Sequence, residues 1–307
     1  MRLLPLFKIP HPLVNYLTCL PIMFWNCQGA ASKGFRLTFR NLIKTFNPAM
    51  VVVLEPRING RKTDAFIKNN RFECSHRVEA EGFSGGIWIL WNNGYEVNII
   101  WNHKQYIHFK VFENNSLISW VTAVYASPIP AVRKQLWHNL GEIANRTQEP
   151  WLVEGDFNTI LYAFEKKGGA NKKSSVCSLF KNWFQSYNLC DIEFKGPRFT
   201  WSRGNLYKRL DRVICNGEWL NKYTEKMVLL LPEVDSDHRH VLVKFSETDV
   251  VSKANKPFWF VLVWPTNENF GNVVASNWNS NTDYVEMVRD FTSKISKWNK
   301  VTFGNIF

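Results

Sequence analysis

The sequence lacks any uninterrupted apolar run near the roughly 20 residues that a helix needs to cross a bilayer, so no membrane contact is expected. It also lacks a C-x-x-C pair. Its six cysteines, Cys19, Cys27, Cys74, Cys177, Cys190 and Cys215, stand apart, and none has a histidine at zinc spacing. That pattern excludes a zinc module and suits buried thiols in a reduced compartment. Acidic residues are scarce beside basic ones: 26 Asp and Glu face 38 Lys and Arg, for a net charge of +12. The excess favours a polyanionic partner, although basic surface charge has bland explanations too. No internal repeat or low-complexity tract stands out. What is abundant is apolar and aromatic surface, 45% and 15% of 307 residues, enough for one large α/β domain or two small ones.

The first twenty residues have a basic, apolar start, but Lys8, Pro10, His11 and Pro12 break the apolar core a signal peptide needs. Residues 1–20 are therefore expected to be a disordered leader. Beyond them, short apolar segments bounded by turn residues read as buried strands: Ile22–Trp25, Met50–Leu54, Gly86–Trp91, Ile118–Tyr125, Trp151–Val153 and Val241–Phe245. Three stretches have helical period instead, namely Phe35 to Phe46, Val132 to Ile143 (Val132, Leu136, Trp137, Leu140, Ile143) and Val176 to Tyr187. This mixture predicts an α/β domain over residues 21–247. The polar, proline-punctuated SETDVVSKANKP then reads as a linker. Residues 248–307 add aromatics at helical spacing (Tyr284, Met287, Val288, Phe291, Ile295, Trp298) in a tail too short for its own core.

Chemistry enters where apolar strands end. IMFW runs into Asn26, MVVVL into Glu55, TAV into Tyr125, and WLVEG into Asp156 and Asn158. Near the domain's end, RLDR sets Asp211 before VIC, and SDH sets Asp237 and His238 before VLVKF. If these strands lie side by side, the side chains converge on one rim, on rigid elements as phosphoester chemistry requires. Each has a plainer reading alone. Asn26 can cap a turn, Glu55 before Pro56 can be a solvated strand end, Tyr125 can be core, and Asp211 can pair with Arg209 or Arg212. GDFN and SDH are harder to dismiss, because a histidine beside two oxygen-bearing residues suits a general base. Attack on an anionic phosphodiester needs a cation and a base, and a hard ion such as Mg²⁺ suits oxygen ligands better than zinc does.

WNCQG, LEPR, VYASP, GDFN, FTWSRG, RLDR and SDH occur in the order found in the exonuclease–endonuclease–phosphatase (DNase I-like) superfamily, which this chain resembles. SHRVEAEGFSGGIWILWN, PWLVEGDFNTIL and FTWSRGN resemble more closely the endonuclease domain of plant non-LTR (LINE-type) retrotransposons. The resemblance spans nearly all of residues 21–245. It implies a four-layer α/β/β/α sandwich and a Mg²⁺-dependent (or Mn²⁺-dependent) endonuclease that nicks DNA to leave a 3′ hydroxyl. Glu55 would be the main metal ligand, with Asn26 holding its neighbourhood and Asp237 near the ion. His238 would take a proton from the attacking water, oriented by Asp211. Asp156 and Asn158 would position water and phosphate, and Tyr125 would bond a phosphate oxygen. The tail ending WNKVTFGNIF is similar to the segment preceding the reverse transcriptase in such polyproteins, a polymerase absent from this chain.

Within RFTWSRGNLYKRLDR a hairpin about Gly204–Asn205 is expected, carrying Arg203, Lys208 and Arg209 as DNA contacts. Further basic pairs, Arg133–Lys134, Lys166–Lys167 and Lys172–Lys173, are candidate phosphate contacts. The chain departs from its relatives at Pro56, where a Thr is usual, at His240, where a Pro is common, and at Gln28, where some have Asp. None removes a catalytic group, but they leave room for a decayed, nucleic-acid-binding domain as an alternative, or for a phosphatase acting on small phosphoesters. A monomer without an obligate protein partner is expected, and nuclear residence follows only from the expected DNA substrate.

Overall fold

The computed structural model describes residues 20–70, 72–81, 85–169, 176–247, 267–278, 290, 291, 293–295, 297, 298, 301 and 302. The expected leader, Lys172, Lys173, Tyr284, Met287 and Val288 fall outside these residues, Leu20 excepted. The strands are β1 (Ile22–Asn26), β2 (Met50–Leu54), β3 (Cys74–Val78), β4 (Ile87–Trp91), β5 (Glu96–His103), β6 (Tyr106–Glu113), β7 (Ser116–Tyr125), β8 (Trp151–Asp156), β9 (Lys166–Lys167), β10 (Cys190–Asp191), β11 (Phe194–Lys195), β12 (Trp201–Arg203), β13 (Leu206–Lys208), β14 (Asp211–Cys215), β15 (Glu225–Leu230) and β16 (Val241–Ser246). The helices are α1 (Lys33–Phe46), α2 (Arg61–Lys68), α3 (Pro130–Arg146), α4 (Ser178–Ser186), α5 (Gly217–Lys222) and α6 (Phe270–Asn277).

Two large sheets form, in the orders β11-β15-β16-β1-β2-β4-β3 and β10-β14-β8-β7-β6-β5, with a small third sheet β12-β13-β9. Three apolar clusters set the layers. Alternate residues of β1, β2, β7 and β8, such as Phe24, Val52, Ala123 and Leu152, meet between the sheets. Met23, Trp25, Val51 and Val53 on the other face of the first sheet pack under Phe35 and Phe39 of α1 and Phe66 of α2. Trp151 and Val153 face Leu136, Trp137 and Leu140 of α3 and Phe180 and Trp183 of α4. The chain thus folds as an α/β/β/α sandwich. Strands apolar on both faces are what burial between two layers demands, which is why β1, β2, β4 and β8 read as continuous apolar runs.

The strand directions place the site. β1 and β2 run parallel, as do β7 and β8, so all four end at the same rim. β14 is antiparallel to β8 and begins there, with Asp211 directly opposite Asp156. β16 is antiparallel to β1 and also begins there. Gly155 makes the last step possible: at φ +142°, a Cβ on it would come within 2.0 Å of the Val124 carbonyl oxygen. The hairpin forms as expected, with Arg203 opposite Leu206 across Gly204–Asn205 and Gly204 at φ +58°.

The sequence pattern misplaces one residue of α3. Val132 is 37% exposed, whereas Arg133 lies on the buried face with Leu136, Trp137 and Leu140. Arg133–Lys134 is therefore not a surface pair. Contacts divide the chain into two compact units, Met1–Asp249 and Val250–Phe307. In the second unit, Phe270 meets Trp298 and Trp278 meets Phe291 through their rings.

Candidate active site

Asp156, at the end of β8, is fully buried and takes bonds from three donors. Asn26 Nδ2 and Asn158 Nδ2 each donate to its Oδ2 at 2.9 Å, and the Asn158 backbone donates to Oδ1 at 2.8 Å. Asn158 holds a left-handed backbone (φ +48°), which turns its amide back onto Asp156 and the Ala126 carbonyl. Burial, with the charge of Asp211 beside it, outweighs His238 and the amides and pushes the Asp156 carboxyl up to about 7.

His238 precedes β16 and is 2% exposed. Its Nδ1 lies 2.9 Å from Asp211 Oδ2, while Nε2 lies 3.9 Å from both Asp156 Oδ2 and Asp237 Oδ1. Burial alone would lower its pKa, but Asp211, Asp156 and Asp237 together lift it to about 9. The carboxylate thus fixes one ring nitrogen and leaves the other facing the rim. The alternative pairing of Asp211 with a neighbouring arginine does not occur: Arg209 and Arg212 turn away to Glu165 and Asp191.

Glu55 follows β2 with φ +55° and its carboxylate holds the Arg57 guanidinium. Tyr125, ending β7, lies beside it, and burial together with Glu55 and Asp156 pushes the Tyr125 hydroxyl well above its usual value. Asp237 is paired with Arg203 at 3.0 Å through Oδ2, while its Oδ1 is buried with no hydrogen-bond partner among the described residues. An orphaned carboxylate oxygen among further hard oxygen donors fits a hard divalent cation. Asp156, Asp211 and His238 also form a group of metal-type donor atoms within 4.8 Å of one another. In that trio Asp211 is already committed to the His238 ring, so its geometry serves proton handling first.

Every rim residue expected from the sequence, Asn26, Glu55, Tyr125, Asp156, Asn158, Asp211, Asp237 and His238, lies at this end of the two sheets. Arg203 reaches the site through Asp237, and Lys208 lies over the Trp201 ring at 5.4 Å. Arg209 does not join them. It makes a two-pronged contact with Asp191 at 2.6 and 2.7 Å and packs on Phe194, so its charge is spent inside the protein rather than offered to DNA.

Sequence reasoning passed over three residues. Ser236 donates to the Asn26 carbonyl and accepts from the His238 backbone, tying two rim loops together. Thr200 accepts from the backbone of Leu210 and Asp211 at 2.9 Å, fixing where β14 starts. Arg57 covers Glu55. All three sit inside motifs already quoted, next to the polar residues that drew notice. His240, one of the departures, is a buried neutral ring: burial pushes it down to about 4, it packs tilted against the Trp25 ring with centroids 4.4 Å apart, and Nδ1 bonds the Pro232 carbonyl.

A model of the Endonuclease/Exonuclease/phosphatase family matches residues 23–238. Among solved structures, the chain is similar to the endonuclease domain of TRAS1, a telomere-specific non-LTR retrotransposon, at 14% identity and TM-score 0.58, covering 75% of this chain and 99% of that one. It is similar to an AP endonuclease from Archaeoglobus fulgidus at 15% identity and TM-score 0.57, covering 74% and 99%. It is also similar to the 3′-5′ exonuclease NExo from Neisseria meningitidis at 17% and 0.56, again covering 74% and 99%. No curated protein matches. At these identities the likeness shows the fold.

Proposed function

From the premise that this chain belongs to the endonuclease/exonuclease/phosphatase family, we propose that it is a metal-dependent endonuclease that nicks DNA and leaves a 3′ hydroxyl. The observation that carries the reading is the oriented pair Asp211–His238 facing Asp156 at 3.9 Å on a shared rim. Its acids outnumber its cations, as a site that receives both a metal ion and a phosphate requires. The net charge of +12 and the similarity to a retrotransposon endonuclease support DNA as the substrate.

Glu55 and Asp237 would hold a divalent ion, Mg²⁺ by its preference for oxygen, with Asn26 supporting them. The ion would offset charge on the phosphoryl and leaving oxygens. The neutral form of His238, whose fraction grows as pH rises toward 9, would accept the proton of the attacking water at Nε2, and Asp211 fixes the ring and stabilises the charge it gains. Asn158 and Asp156 orient water and phosphate, and the Tyr125 hydroxyl, kept protonated by its surroundings, donates to a phosphate oxygen. Attack in line with the 3′ oxygen gives a 5′ phosphate and a free 3′ hydroxyl, the end a target-primed polymerase extends.

The test is purified protein, supercoiled plasmid and Mg²⁺. Relaxed circles are expected, abolished by chelator, restored by Mg²⁺ or Mn²⁺, and strongly reduced in Glu55→Gln. DNA ligase should reseal the nicks without phosphatase or kinase treatment. Chelator-resistant nicking, or ends that need a 3′ phosphate removed, would overturn the assignment.

A further inference from the structure

Exposed aromatic rings gather beside the site. Phe164 is 61% exposed, and Tyr162 and Tyr207 are each 36% exposed. The first two follow Asn158 by a few residues and the third sits on β13 of the hairpin, so all three come from segments joined to the rim. Adjoining exposed rings mark a surface that something covers. Here they form a row. The Tyr162 and Phe164 rings stack with centroids 5.2 Å apart and planes 10° from parallel. The Arg198 guanidinium lies 5.2 Å from the Phe164 centroid and 5.7 Å from that of Phe199, and the Phe199 ring meets Tyr207 at 5.9 Å.

The row is held in place from beneath. Glu165 is buried, contacts Arg212 and accepts from the Leu161 and Tyr162 backbones, while its neighbour Phe164 stays in solvent. Arg198 Nη2 donates to the Phe164 carbonyl at 2.9 Å, and Arg239, the residue after His238, donates through Nε to the Phe199 carbonyl at 3.0 Å. Trp201 forms an antiparallel bridge with His238, and Phe199 stands two residues before it. At a strand spacing of about 4.8 Å and about 3.3 Å per residue, the Phe199 backbone is roughly 8 Å from that of His238.

What covers this row must offer flat π faces and negative charge. Among the described residues no carboxylate lies within ion-pair distance of Arg198. The exposed Lys167 stands directly opposite Tyr207 in the small sheet and shares its face. Rings and cations together match a nucleotide, with base against ring and phosphate against cation. Inside a duplex each base face is already covered by its neighbours, so an unpaired strand is what such a row can take.

We propose that Tyr162, Phe164, Arg198, Phe199 and Tyr207 form a stacking platform for unpaired bases of a DNA strand, adjoining the phosphodiester attacked at His238. The platform rests on the nuclease reading for that phosphodiester and narrows its substrate: the chain engages a junction between duplex and single strand in preference to unbroken duplex.

The experiment measures binding of the full chain in chelator, where nothing is cut, by fluorescence anisotropy. One DNA is a blunt duplex and the other a duplex with a single-stranded arm, matched in their number of phosphates. The arm should raise affinity about tenfold. Abasic replacement of one or two arm nucleotides near the junction removes the base, keeps the phosphate, and should abolish that gain. Phe164→Ala and Tyr207→Ala should each lose the gain and the abasic sensitivity. Phe164→Trp should keep both, whereas Phe164→Leu, apolar but without a π face, should keep neither. Arg198→Gln should weaken binding of the arm and lower its salt slope by about 0.7. The abasic scan needs no variant, so the test stands even if one of them fails to fold.

Equal affinity for the two DNAs, or an abasic scan without a sensitive position, would overturn the platform. So would a Phe164→Leu variant that binds as wild type does. If the chain instead self-associates through this row, with Phe164→Ala monomeric and its DNA binding unchanged, the row is a protein interface and the platform is wrong. A protein that nicks plasmid without favouring the arm keeps the nuclease and loses the platform. One that favours the arm through Phe164 but never nicks in Mg²⁺ keeps the platform and loses the nuclease.

Discussion

Two groups of buried charge meet at β14, and they differ in balance. On one face Arg209 and Arg212 meet Glu165 and Asp191, two cations for two anions, with Arg212 fully buried over Phe180. On the other, one residue away, Asp211 joins Asp156 and Asp237 around a single histidine. Strand alternation alone sends the D and the final R of RLDR to opposite sides. The balanced group is closed: it ties the 3₁₀ turn Ala163–Glu165, and so β9, to the second sheet. The unbalanced group is held by asparagine amides, by a histidine ring and by arginines borrowed from the edge, Arg203 on Asp237 and Arg57 on Glu55. Matched charge builds the frame, and unmatched charge is left for substrate and metal.

Breaking each group should produce opposite losses. His238→Ala should cost about 10²–10⁴-fold in nicking rate, the range for a general base. Arg212→Ala should cost about 3–5 kcal/mol of stability, because it takes the close partner of the buried Glu165 and leaves only Arg209 at 3.5 Å, while folded molecules keep their activity. Urea denaturation and plasmid nicking on the same preparations compare the two. Comparable activity losses in both variants would erase the distinction.

A smaller effect sharpens the same contrast. Glu154 lies on β8 between the groups, fully buried, with neither carboxylate oxygen bonded among the described residues. Burial, then the charge of Asp211, hold its carboxyl well above the usual range. With its folded pKa raised, the native state binds the extra proton, so its stabilising contribution is complete below about 4.5 and lost as pH rises. Glu154→Gln should therefore stabilise the protein by about 1–3 kcal/mol at neutral pH and flatten the fall in stability above pH 5, read from melting curves across pH. Destabilisation at pH 7 would mean that the carboxylate is paired.

The smallest effect is the pH signature of the histidine itself. Its folded pKa is raised from 6.5 to about 9, so the stability it lends through its acids is complete below 6.5 and lost as pH climbs through 9. In chelator, the stability gap between wild type and His238→Gln should close over that window. A gap constant from pH 6 to 10 would show that the ring stays neutral.

Much of this was legible in the sequence because the two apolar sheets announce themselves. β1, β2, β4 and β8 are buried on both faces, as are the last five residues of β7 and nearly all of β16, and the polar residues that end β1, β7 and β8, follow β2 or precede β16 are conspicuous. The edge strands were not legible: β5 alternates half-buried and exposed residues, and β3 has no apolar run at all. The site residues converged because strand ends share a rim, a rule of topology that periodicity expresses well. Arg209 and Arg133 did not follow, since a basic residue reads as surface until its partners are known. Arg209 finds Asp191 eighteen positions back in the chain, and Arg133 lies on the inner face of α3, where the pattern favoured Val132.

The central claim is that Asp211 and His238 work as one unit, and a double-mutant cycle on single-turnover nicking tests it most directly. Asp211→Asn should cost much of what His238→Ala costs, and the double variant little more than His238→Ala alone, because a carboxylate that only orients the base has nothing to act on once the base is gone. If the two losses multiply, so that the double variant is slower by the product of the single effects, the pair is not coupled and this account of the site is wrong.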